Sequence, residues 1–406
     1  MALIVGGWTA RYLGVGNFGL LNYAVALVAV FAAIAPLGME GLVVREMIRA
    51  PETIGQWVGT VVGFRAMAAV LCACLAMAAI ALLRPGETLP LAMVALLAAG
   101  LIAQSLESGE LLFQARGCLS RLIVPRLVLF LFLTPVKVAA ILSGLSLIWF
   151  VVLTTLEQVA SGLITWHLVR RELGDVHRMQ FTPFRGWQLI AVSWPMAVSA
   201  LAVMLYLKLS QLMLSRMLDD NALGLYSAAI RFSEAAGFVP MALATSLLPG
   251  LMRNHEEGPD EYSRALLQYF RLNAGIAYFL CLLLCLGAPW LIHRLFGPDY
   301  TLSVPVMMIH VWSLVFVFLG VARGQHLLTK RQTGHSLMFN SIGLIMSLGF
   351  NLLLIPRWGI IGAATATVLS YGIANVVASF VSPVTRRIGL MQLHALVTPW
   401  YAFRKR

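Results

Sequence analysis

Long apolar segments dominate this chain and constrain its fold more than any other feature. Of its 406 residues, 60% are hydrophobic and only 11% are charged, which is about half the charged share of an ordinary soluble protein. A soluble domain of this length still leaves roughly a quarter of its unfolded-chain surface in contact with water, so it could not bury so much apolar surface. The composition predicts an all-α integral membrane protein, and it excludes soluble enzymes and nucleic-acid-binding proteins despite a net charge of +12.

Short polar breaks divide the apolar sequence into about twelve helices. A helix needs about 20 residues to cross the hydrocarbon core, and the segment 1–10 has half that length, so we expect a truncated first helix. That segment lacks the basic start and the cleavage site of a signal peptide. Eleven full spans are predicted to follow, at 19–38, 57–83, 90–113, 122–142, 146–168, 188–215, 221–250, 265–292, 301–322, 335–355 and 359–381.

The basic residues between the spans predict the orientation of the chain. With the C-terminus in the cytoplasm, eighteen of them fall on the cytoplasmic side: Arg45, Arg49, Arg116, Arg121, Arg170, Arg171, Arg178, Arg185, Arg253, Arg264, Arg323, Lys330, Arg331, Arg386, Arg387, Arg404, Lys405 and Arg406. Five fall on the opposite side: Arg11, Arg84, Arg216, Arg294 and Arg357. This asymmetry is what the positive-inside rule describes, so the net charge reflects membrane topology.

A weak internal repeat predicts two lobes that run in the same direction. The stretch ARYLGVGNFGLLNYA (10–24) and the stretch SRMLDDNALGLYSAA (215–229) agree at 5 of 15 positions, including Gly19 with Gly224. Six predicted spans separate the two, which is typical of transporters built from parallel repeats. We therefore expect an N-terminal lobe over 1–169, a cytoplasmic linker over 170–186, a C-terminal lobe over 187–382 and a basic cytoplasmic tail over 383–406.

Six basic residues lie inside predicted spans, where a central charge costs roughly 2.5–3.5 kcal/mol. They are Arg65, Arg126, Lys137, Lys208, Arg231 and Arg271. Arg126 lies near a span end, so we expect its side chain to extend to the membrane surface. The others are expected to face protein or a water-filled cavity. Such a cavity, with more cations than anions, suits an anionic substrate such as a phosphate or diphosphate.

Four acidic residues also lie inside the predicted spans: Glu107, Glu110, Glu157 and Glu234. The first two share a helix face with Gln104 and Gln114, and adjacent carboxylates in a low dielectric raise each other's proton affinity. All four are candidates for proton or sodium coupling. The alternative is structural, because Glu157 could pair with Arg65 or Lys137, and Glu234 with Arg231.

Several other residues are predicted to have structural roles only, as hinges, turns or packing residues. Pro195 and Pro240 lie in the spans that hold Lys208 and Arg231, and Gly237 lies beside the second of these prolines, so we predict hinges there. His310 is interpreted as a packing residue, and Asp219 with Asp220 as a turn between helices. The five cysteines lack metal-ligand spacing and are interpreted as small hydrophobic residues; we predict no metal, cofactor or catalytic residue.

Three stretches resemble a known family. They are 10–47, from ARYLGVGNFGLLNYA to LGMEGLVVREM; 207–249, LKLSQLMLSRMLDDNALGLYSAAIRFSEAAGFVPMALATSLLP; and 352–377, LLLIPRWGIIGAATATVLSYGIANVV. In order and spacing they are similar to the polysaccharide-flippase (O-antigen-type) branch of the superfamily that unites multidrug and toxin extruders, lipid II flippases and oligosaccharide-lipid exporters. The resemblance covers essentially the whole chain.

This resemblance implies twelve helices in two six-helix lobes around a cavity that opens alternately to either side. It also implies a substrate, an oligosaccharide repeat unit on undecaprenyl diphosphate, which is flipped across the bacterial cytoplasmic membrane for surface polysaccharide assembly, with polymerase or assembly proteins as further partners. The candidates for holding the diphosphate are Arg11, Arg45, Arg65, Lys208, Arg231 and Arg271, of which Arg11, Arg45, Lys208 and Arg231 lie within the matching stretches.

Three alternatives remain open at the level of the sequence. A multidrug exporter of the same architecture would favour carboxylates and aromatic residues for cationic drugs. A polyprenyl-dependent membrane glycosyltransferase or ligase would need a larger extramembrane loop than any predicted here. The third alternative is an inactive scaffold in a polysaccharide assembly complex.

Overall fold

Helices make up nearly all of the computed structural model of this chain, which describes residues 2–174, 179–330 and 334–403. Arg178, Arg331, Arg404, Lys405 and Arg406 lie outside these ranges. The cytoplasmic placement of all eighteen basic residues stays a prediction. Within the described ranges there is no strand, and the fifteen α-helices are α1 (Ala2–Ala32), α2 (Glu40–Arg49), α3 (Ile54–Leu83), α4 (Thr88–Gln104), α5 (Glu110–Ala115), α6 (Ser120–Leu142), α7 (Leu147–Leu173), α8 (Pro183–Met217), α9 (Asp220–Ala236), α10 (Phe238–Glu257), α11 (Pro259–Leu295), α12 (Ser303–His310), α13 (Ser313–Thr329), α14 (Gly334–Asn375) and α15 (Pro383–Val397).

Nine stretches of the described chain are long and apolar enough to cross a membrane, and this confirms the predicted all-α membrane fold. Two of these stretches are kinked at a glycine with positive φ, α1 at Gly14 and α14 at Gly359. Gly14 falls between two predicted spans, and Gly359 is the first residue of the last predicted span. Counting each kinked helix as two and adding the α9–α10 pair gives the predicted twelve.

The chain packs as two compact units, one made of residues 1–19 with 209–406 and the other of residues 20–208. The first has a core of α1, α9, α11, α12 and α14 around Phe18, Tyr226 and Phe296. The second has a core of α2, α3, α5 and α7 around Met47, Phe64 and Phe113. These units are defined by packing and not by the sequence repeat, so the predicted lobes over 1–169 and 187–382 stay a prediction.

The predicted basic tail, 383–406, begins with a packed helix. Ile388 and Ala395 of α15 join the core formed by α11 and α13. Arg323 of α13 is buried and donates to the backbone carbonyl oxygens of Ala374 and Asn375 at 3.0 and 3.1 Å. Since the last carbonyls of a helix lack partners within it, this arginine caps the C-terminal end of α14.

Asp219 and Asp220 form the turn that the sequence predicts. The Asp219 side chain accepts a hydrogen bond from the backbone N–H of Ala222 at 2.7 Å and caps the start of α9. Asp220 accepts a 2.7 Å hydrogen bond from the Ser215 hydroxyl. Aspartate at this position satisfies one of the free N–H groups of a helix N-terminus, which explains why α8 ends and α9 begins here.

The repeat-related glycines Gly19 and Gly224 pack against each other's helices. A β-carbon on Gly19 would overlap the carbonyl oxygen of Asp220, and one on Gly224 would overlap that of Val15. Val15 and Asp220 are separated by the same 205 residues as the two glycines. The two copies of the repeat therefore cross through equivalent residues, which only glycine permits at this separation.

We expect Gly19→Ala and Gly224→Ala each to lower the free energy of unfolding by about 1–3 kcal/mol, because the added methyl group would force two backbones apart. Gly41→Ala is the matched control: it is exposed on α2 and a β-carbon there meets nothing within 4 Å. Thermal unfolding of the detergent-purified variants measures the difference. Equal midpoints for all three variants would show that the crossing does not need glycine.

Candidate functional site: a polar cavity around Arg65

A polar cavity of about 340 Å³ lies within the unit of residues 20–208. Small alanine side chains from the end of α1 and from α3 leave the space open. Polar side chains from α2, α3, α4, α5 and the turn between α4 and α5 also line it: Glu40, Arg65, Gln104, Ser105, Glu107, Ser108, Glu110 and Gln114. This volume falls in the range of small-molecule binding sites.

The stripe predicted from the sequence faces this cavity. Gln104, Glu107, Glu110 and Gln114 all line it, as their spacing indicates. The sequence does not predict that the helix changes here to a 3₁₀ turn over Ser105–Gly109. The turn lies between α4 and α5 inside a single candidate span, and such a break in a long helix is often found at a functional hinge.

Arg65 is the buried charge of the site, with a residue exposure of 8%. Its Nη2 donates to Glu40 Oε1 at 3.1 Å, and its Nη1 donates to the Ser108 hydroxyl at 3.3 Å. The Nε atom is also buried, and it has no hydrogen-bond partner among the described residues. A guanidinium has five N–H donors, so Arg65 has donor capacity left for a ligand.

The two carboxylates of the predicted stripe, Glu107 and Glu110, have separate partners. Glu107 accepts a short hydrogen bond from the Ser161 hydroxyl of α7. Glu110 accepts one from Arg126 Nη1 at 2.7 Å, and Arg126 Nη2 donates to Thr165 at 3.0 Å. Arg126 therefore pairs with an acidic residue on a neighbouring helix, and its extension to the membrane surface stays a prediction.

Glu157 pairs with Lys137, one of the two partners predicted for it. Lys137 Nζ lies 2.5 Å from Glu157 Oε2, and the two residues join α6 to α7. Neither residue is among those that line the Arg65 cavity. This geometry favours the structural interpretation of Glu157, while its role in ion coupling stays untested.

The lining of this cavity differs from the predicted cation-rich cavity, which stays a prediction. Among the described residues that line it, Arg65 is the one cation, and Glu40, Glu107 and Glu110 are the carboxylates. Of the other proposed anion ligands in this unit, Arg45 lines a separate pocket and Lys208 lies half-buried on α8. The cavity therefore offers one anion-binding group among acceptors that suit hydroxyl groups.

In the unit of residues 1–19 and 209–406, Arg231 of α9 packs against α1. Its guanidinium lies 4.9 Å from the centre of the Phe18 ring, and a β-carbon on Gly6 would overlap it. Exposed Arg11 lies nearby along α1, beside Gly297. Glu234 follows Arg231 by one turn on α9 and is exposed.

Arg271 and His310 have protein partners in the same unit. Arg271 Nε donates to the Thr398 hydroxyl at 3.2 Å, and its guanidinium lies 5.4 Å from the Tyr401 ring centre. His310 is buried and forms a 3.1 Å hydrogen bond with the Ser233 hydroxyl, which confirms its interpretation as a packing residue.

The predicted hinges can be compared with the observed helix breaks. Pro195 lies inside α8, and Pro240 lies in the first turn of α10. The chain breaks between α9 and α10 at Gly237, a residue that the sequence singled out beside Pro240. Whether either proline acts as a hinge stays a prediction.

The sequence analysis missed the buried polar cluster around Arg323. Besides capping α14, Arg323 donates to the Ser379 hydroxyl at 3.0 Å and lies 3.9 Å from the Phe339 ring centre. Gln392 accepts from Ser379 at 3.1 Å. The sequence does mark this position, because Arg323 interrupts an apolar run. Since it lies near the predicted cytoplasmic end of a span, it was counted with the basic residues that orient the chain.

Comparison with known proteins identifies a family and a fold. The sequence profile of a family described as "Polysaccharide biosynthesis protein" matches residues 1–255. No curated protein sequence matches the chain.

Solved structures similar to this chain include three transport proteins, all at sequence identities that show the fold alone. An inward-facing multidrug resistance MATE family transporter of the MOP superfamily has 16% identity and a TM-score of 0.74, over 97% of this chain and 94% of that one. The lipid II flippase MurJ, in an inward closed conformation, has 12% identity and a TM-score of 0.73, over 100% and 90%. A MOP superfamily transporter from Pyrococcus furiosus, described as having a binding pocket of reversed polarity, has 14% identity and a TM-score of 0.62, over 99% and 92%.

The Lys137–Glu157 pair gives a test that separates structural from functional carboxylates. We expect Lys137→Met alone to lower the free energy of unfolding by about 1–2 kcal/mol, because it leaves a partly buried carboxylate unpaired, and the double variant Lys137→Met/Glu157→Met to recover most of that loss. Thermal unfolding measures both.

Complementation of a deletion strain by the double variant tests whether the pair has a role beyond folding. Normal complementation is the expected result, since the pair is replaced by apolar groups of similar size. A stably folded double variant that fails to complement would show that Lys137 or Glu157 has a functional role.

Proposed function

The chain belongs to the polysaccharide biosynthesis protein family, and on that premise we propose that it is a flippase for polyprenyl-diphosphate-linked oligosaccharides. It would move the repeat unit from the cytoplasmic to the outer leaflet of the bacterial cytoplasmic membrane by alternating access. Undecaprenyl diphosphate is the proposed carrier, and polymerase or assembly proteins of a surface polysaccharide such as O-antigen are proposed partners. The orientation with a cytoplasmic C-terminus is part of the same proposal.

The polar cavity around Arg65 is the observation that carries this proposal. A sugar head group cannot cross hydrocarbon unaided, because each polar group that loses its hydrogen bonds costs several kcal/mol. The cavity provides acceptors for sugar hydroxyl groups in Glu107, Glu110 and the amides of Gln104 and Gln114. It lies among helices that are otherwise apolar, where such a cluster is expected to line a substrate pathway.

The diphosphate is assigned to basic side chains. Arg65 has the strongest support, because it lines the cavity, its Nη1 and Nη2 each have an N–H beyond the one given to Ser108 or Glu40, and a guanidinium matches phosphate oxygens in a bidentate geometry. Arg11, Arg45, Lys208, Arg231 and Arg271 complete the proposed set. Arg271 already holds Thr398, so binding a diphosphate there would require that contact to open.

Ion coupling is assigned first to Glu107. Glu110 and Glu157 each contact a cation within hydrogen-bond distance, whereas Glu107 accepts from the neutral Ser161 hydroxyl. The contact with Ser161 leaves the charge of Glu107 uncompensated, so Glu107 is our first choice for binding a coupling ion. Glu234 remains the candidate in the other unit.

Export of cationic compounds is the second candidate function. The surplus of carboxylates over arginine in the Arg65 cavity favours it, and one structural relative is a multidrug resistance transporter. Carboxylates attract a cationic drug, whereas they would repel a diphosphate placed beside them. Loss of the Arg65 charge should therefore weaken binding of a diphosphate but favour binding of a cationic compound.

We expect Arg65→Gln to reduce flipping by at least about tenfold, because it removes a charge-assisted contact worth about 1.4 kcal/mol or more. The measurement is mass spectrometry of lipid extracts from cells that carry the variant in place of the natural gene. Polyprenyl-diphosphate oligosaccharide should accumulate as it does in a deletion strain, while the surface glycan decreases.

Arg264→Gln is the matched control, because Arg264 forms an exposed ion pair with Glu261 one turn away. It should leave both lipid and glycan at natural levels, and immunoblots should show equal amounts of the two variants in the membrane. If the deletion strain lacks the lipid-linked sugar or shortens it, the chain acts in synthesis and the flippase proposal is wrong. If lipid and glycan are normal but cationic dyes accumulate in cells, export is the function.

A further inference from the structure

A second pocket in the unit of residues 20–208 combines two arginines with apolar walls. It has a volume of about 310 Å³ and lies between α2, the start of α3 and the first half of α8. Arg45 comes from α2 and Arg185 from the first turn of α8, although 140 residues separate them in the sequence. Both lie in segments that the sequence predicts to be cytoplasmic. The fold places them in one pocket, which the predicted membrane topology does not require.

Arg185 is held in a fixed position by protein groups. Its Nη1 donates to Gln56 Oε1 at 2.8 Å, and its guanidinium lies 5.5 Å from the centre of the Trp57 ring. Stacking on an aromatic face and one hydrogen bond orient the planar group and leave its other N–H donors available. An anion would meet a guanidinium that has already lost most of its rotational freedom.

Arg45 completes a site with a net positive charge. Its Nε lies 3.5 Å from Glu46 Oε1, and its side chain is 57% exposed. Two arginines and one carboxylate line the pocket, so an added anion finds an excess of positive charge. Two guanidinium groups facing one cavity match the oxygens of a phosphate, which arginine binds in a bidentate geometry.

The rest of the pocket is apolar and leads away from the charges along α8. Leu189 and Val192 line it one and two turns after Arg185, and Val192 is 66% exposed. Seven residues of helix from Arg185 to Val192 correspond to about 10 Å. Because α8 is a candidate membrane span, the charged end of the pocket lies at the start of the span and the apolar end lies deeper.

We propose that this pocket binds the phosphate of a membrane lipid, with the hydrocarbon chain of that lipid lying along Leu189 and Val192. A soluble phosphate would use the arginines but not the apolar side of the pocket, whereas an amphiphile uses both. Basic pockets between membrane helices bind anionic head groups in this way. The proposal stands whether or not the chain is a flippase, since phosphate-bearing lipids surround any membrane-spanning protein.

Native mass spectrometry of the purified full chain tests the proposal, with dioleoylphosphatidylglycerol and undecaprenyl diphosphate as separate probes. The double variant Arg45→Gln/Arg185→Gln should bind the lipid that the natural chain retains at least about tenfold more weakly, because two charge-assisted contacts are lost. Arg49→Gln/Arg121→Gln, which removes the same charge from exposed positions outside the pocket, should bind as the natural chain does.

The two probes distinguish the sources of the phosphate. Loss of phosphatidylglycerol binding assigns the pocket to bulk phospholipid, and loss of undecaprenyl diphosphate binding alone assigns it to a polyprenyl carrier. Equal binding by the double variant and the natural chain for both probes would overturn the proposal. The Arg185→Gln change removes the contact with Trp57 and could disturb folding of the double variant. Arg45→Gln alone changes an exposed side chain, so this variant should fold normally and bind the lipid several-fold more weakly.

Discussion

The cost of a charge in hydrocarbon is the constraint on which this structure depends. A central arginine or lysine costs roughly 2.5–3.5 kcal/mol on insertion scales. In the unit of residues 20–208, ion pairs with acidic side chains offset that cost. Arg65 pairs with Glu40, Arg126 with Glu110 and Lys137 with Glu157, and each pair joins two different helices. Each pair therefore holds two helices together. They also place Glu107, with its neutral Ser161 partner, and the unused donor of Arg65 beside the same cavity, where a polar substrate can be bound.

Close backbone contact has the corresponding role in the unit of residues 1–19 and 209–406. Gly19 and Gly224 let α1 and α9 cross through residues that occupy equivalent positions in the repeat. The hydrophobic effect does not drive apolar helices together in lipid, so the tight packing that small residues allow is a main source of affinity between them. A sequence match at 5 of 15 positions is weak by itself. The crossing gives the match of Gly19 with Gly224 a physical reason, because a larger residue at either position would separate the helices.

The sequence was sufficient for the features that depend on one helix at a time. Apolar run lengths predicted the spans and both glycine-marked breaks, and three- and four-residue spacing placed Gln104, Glu107, Glu110 and Gln114 on one face. It was insufficient where the outcome depends on which helices are neighbours. Arg126 meets Glu110 and Arg323 meets the end of α14 because of tertiary packing, and no spacing within one helix encodes that. The charge balance of the Arg65 cavity could not be predicted for the same reason, since a count of basic residues over the whole chain does not show which of them line one cavity.

Translocation by the purified chain in liposomes tests the central claim most directly. A polyprenyl-diphosphate oligosaccharide is placed in both leaflets, and a glycosidase added outside reports how much sugar becomes accessible over time. The account predicts that the natural chain brings the inner-leaflet sugar to the enzyme, and that liposomes with the Arg65→Gln variant expose little more than protein-free ones. If the natural chain exposes no more sugar than protein-free liposomes, while the same preparation transports cationic dyes, the assignment of the Arg65 cavity to lipid-linked oligosaccharides is wrong.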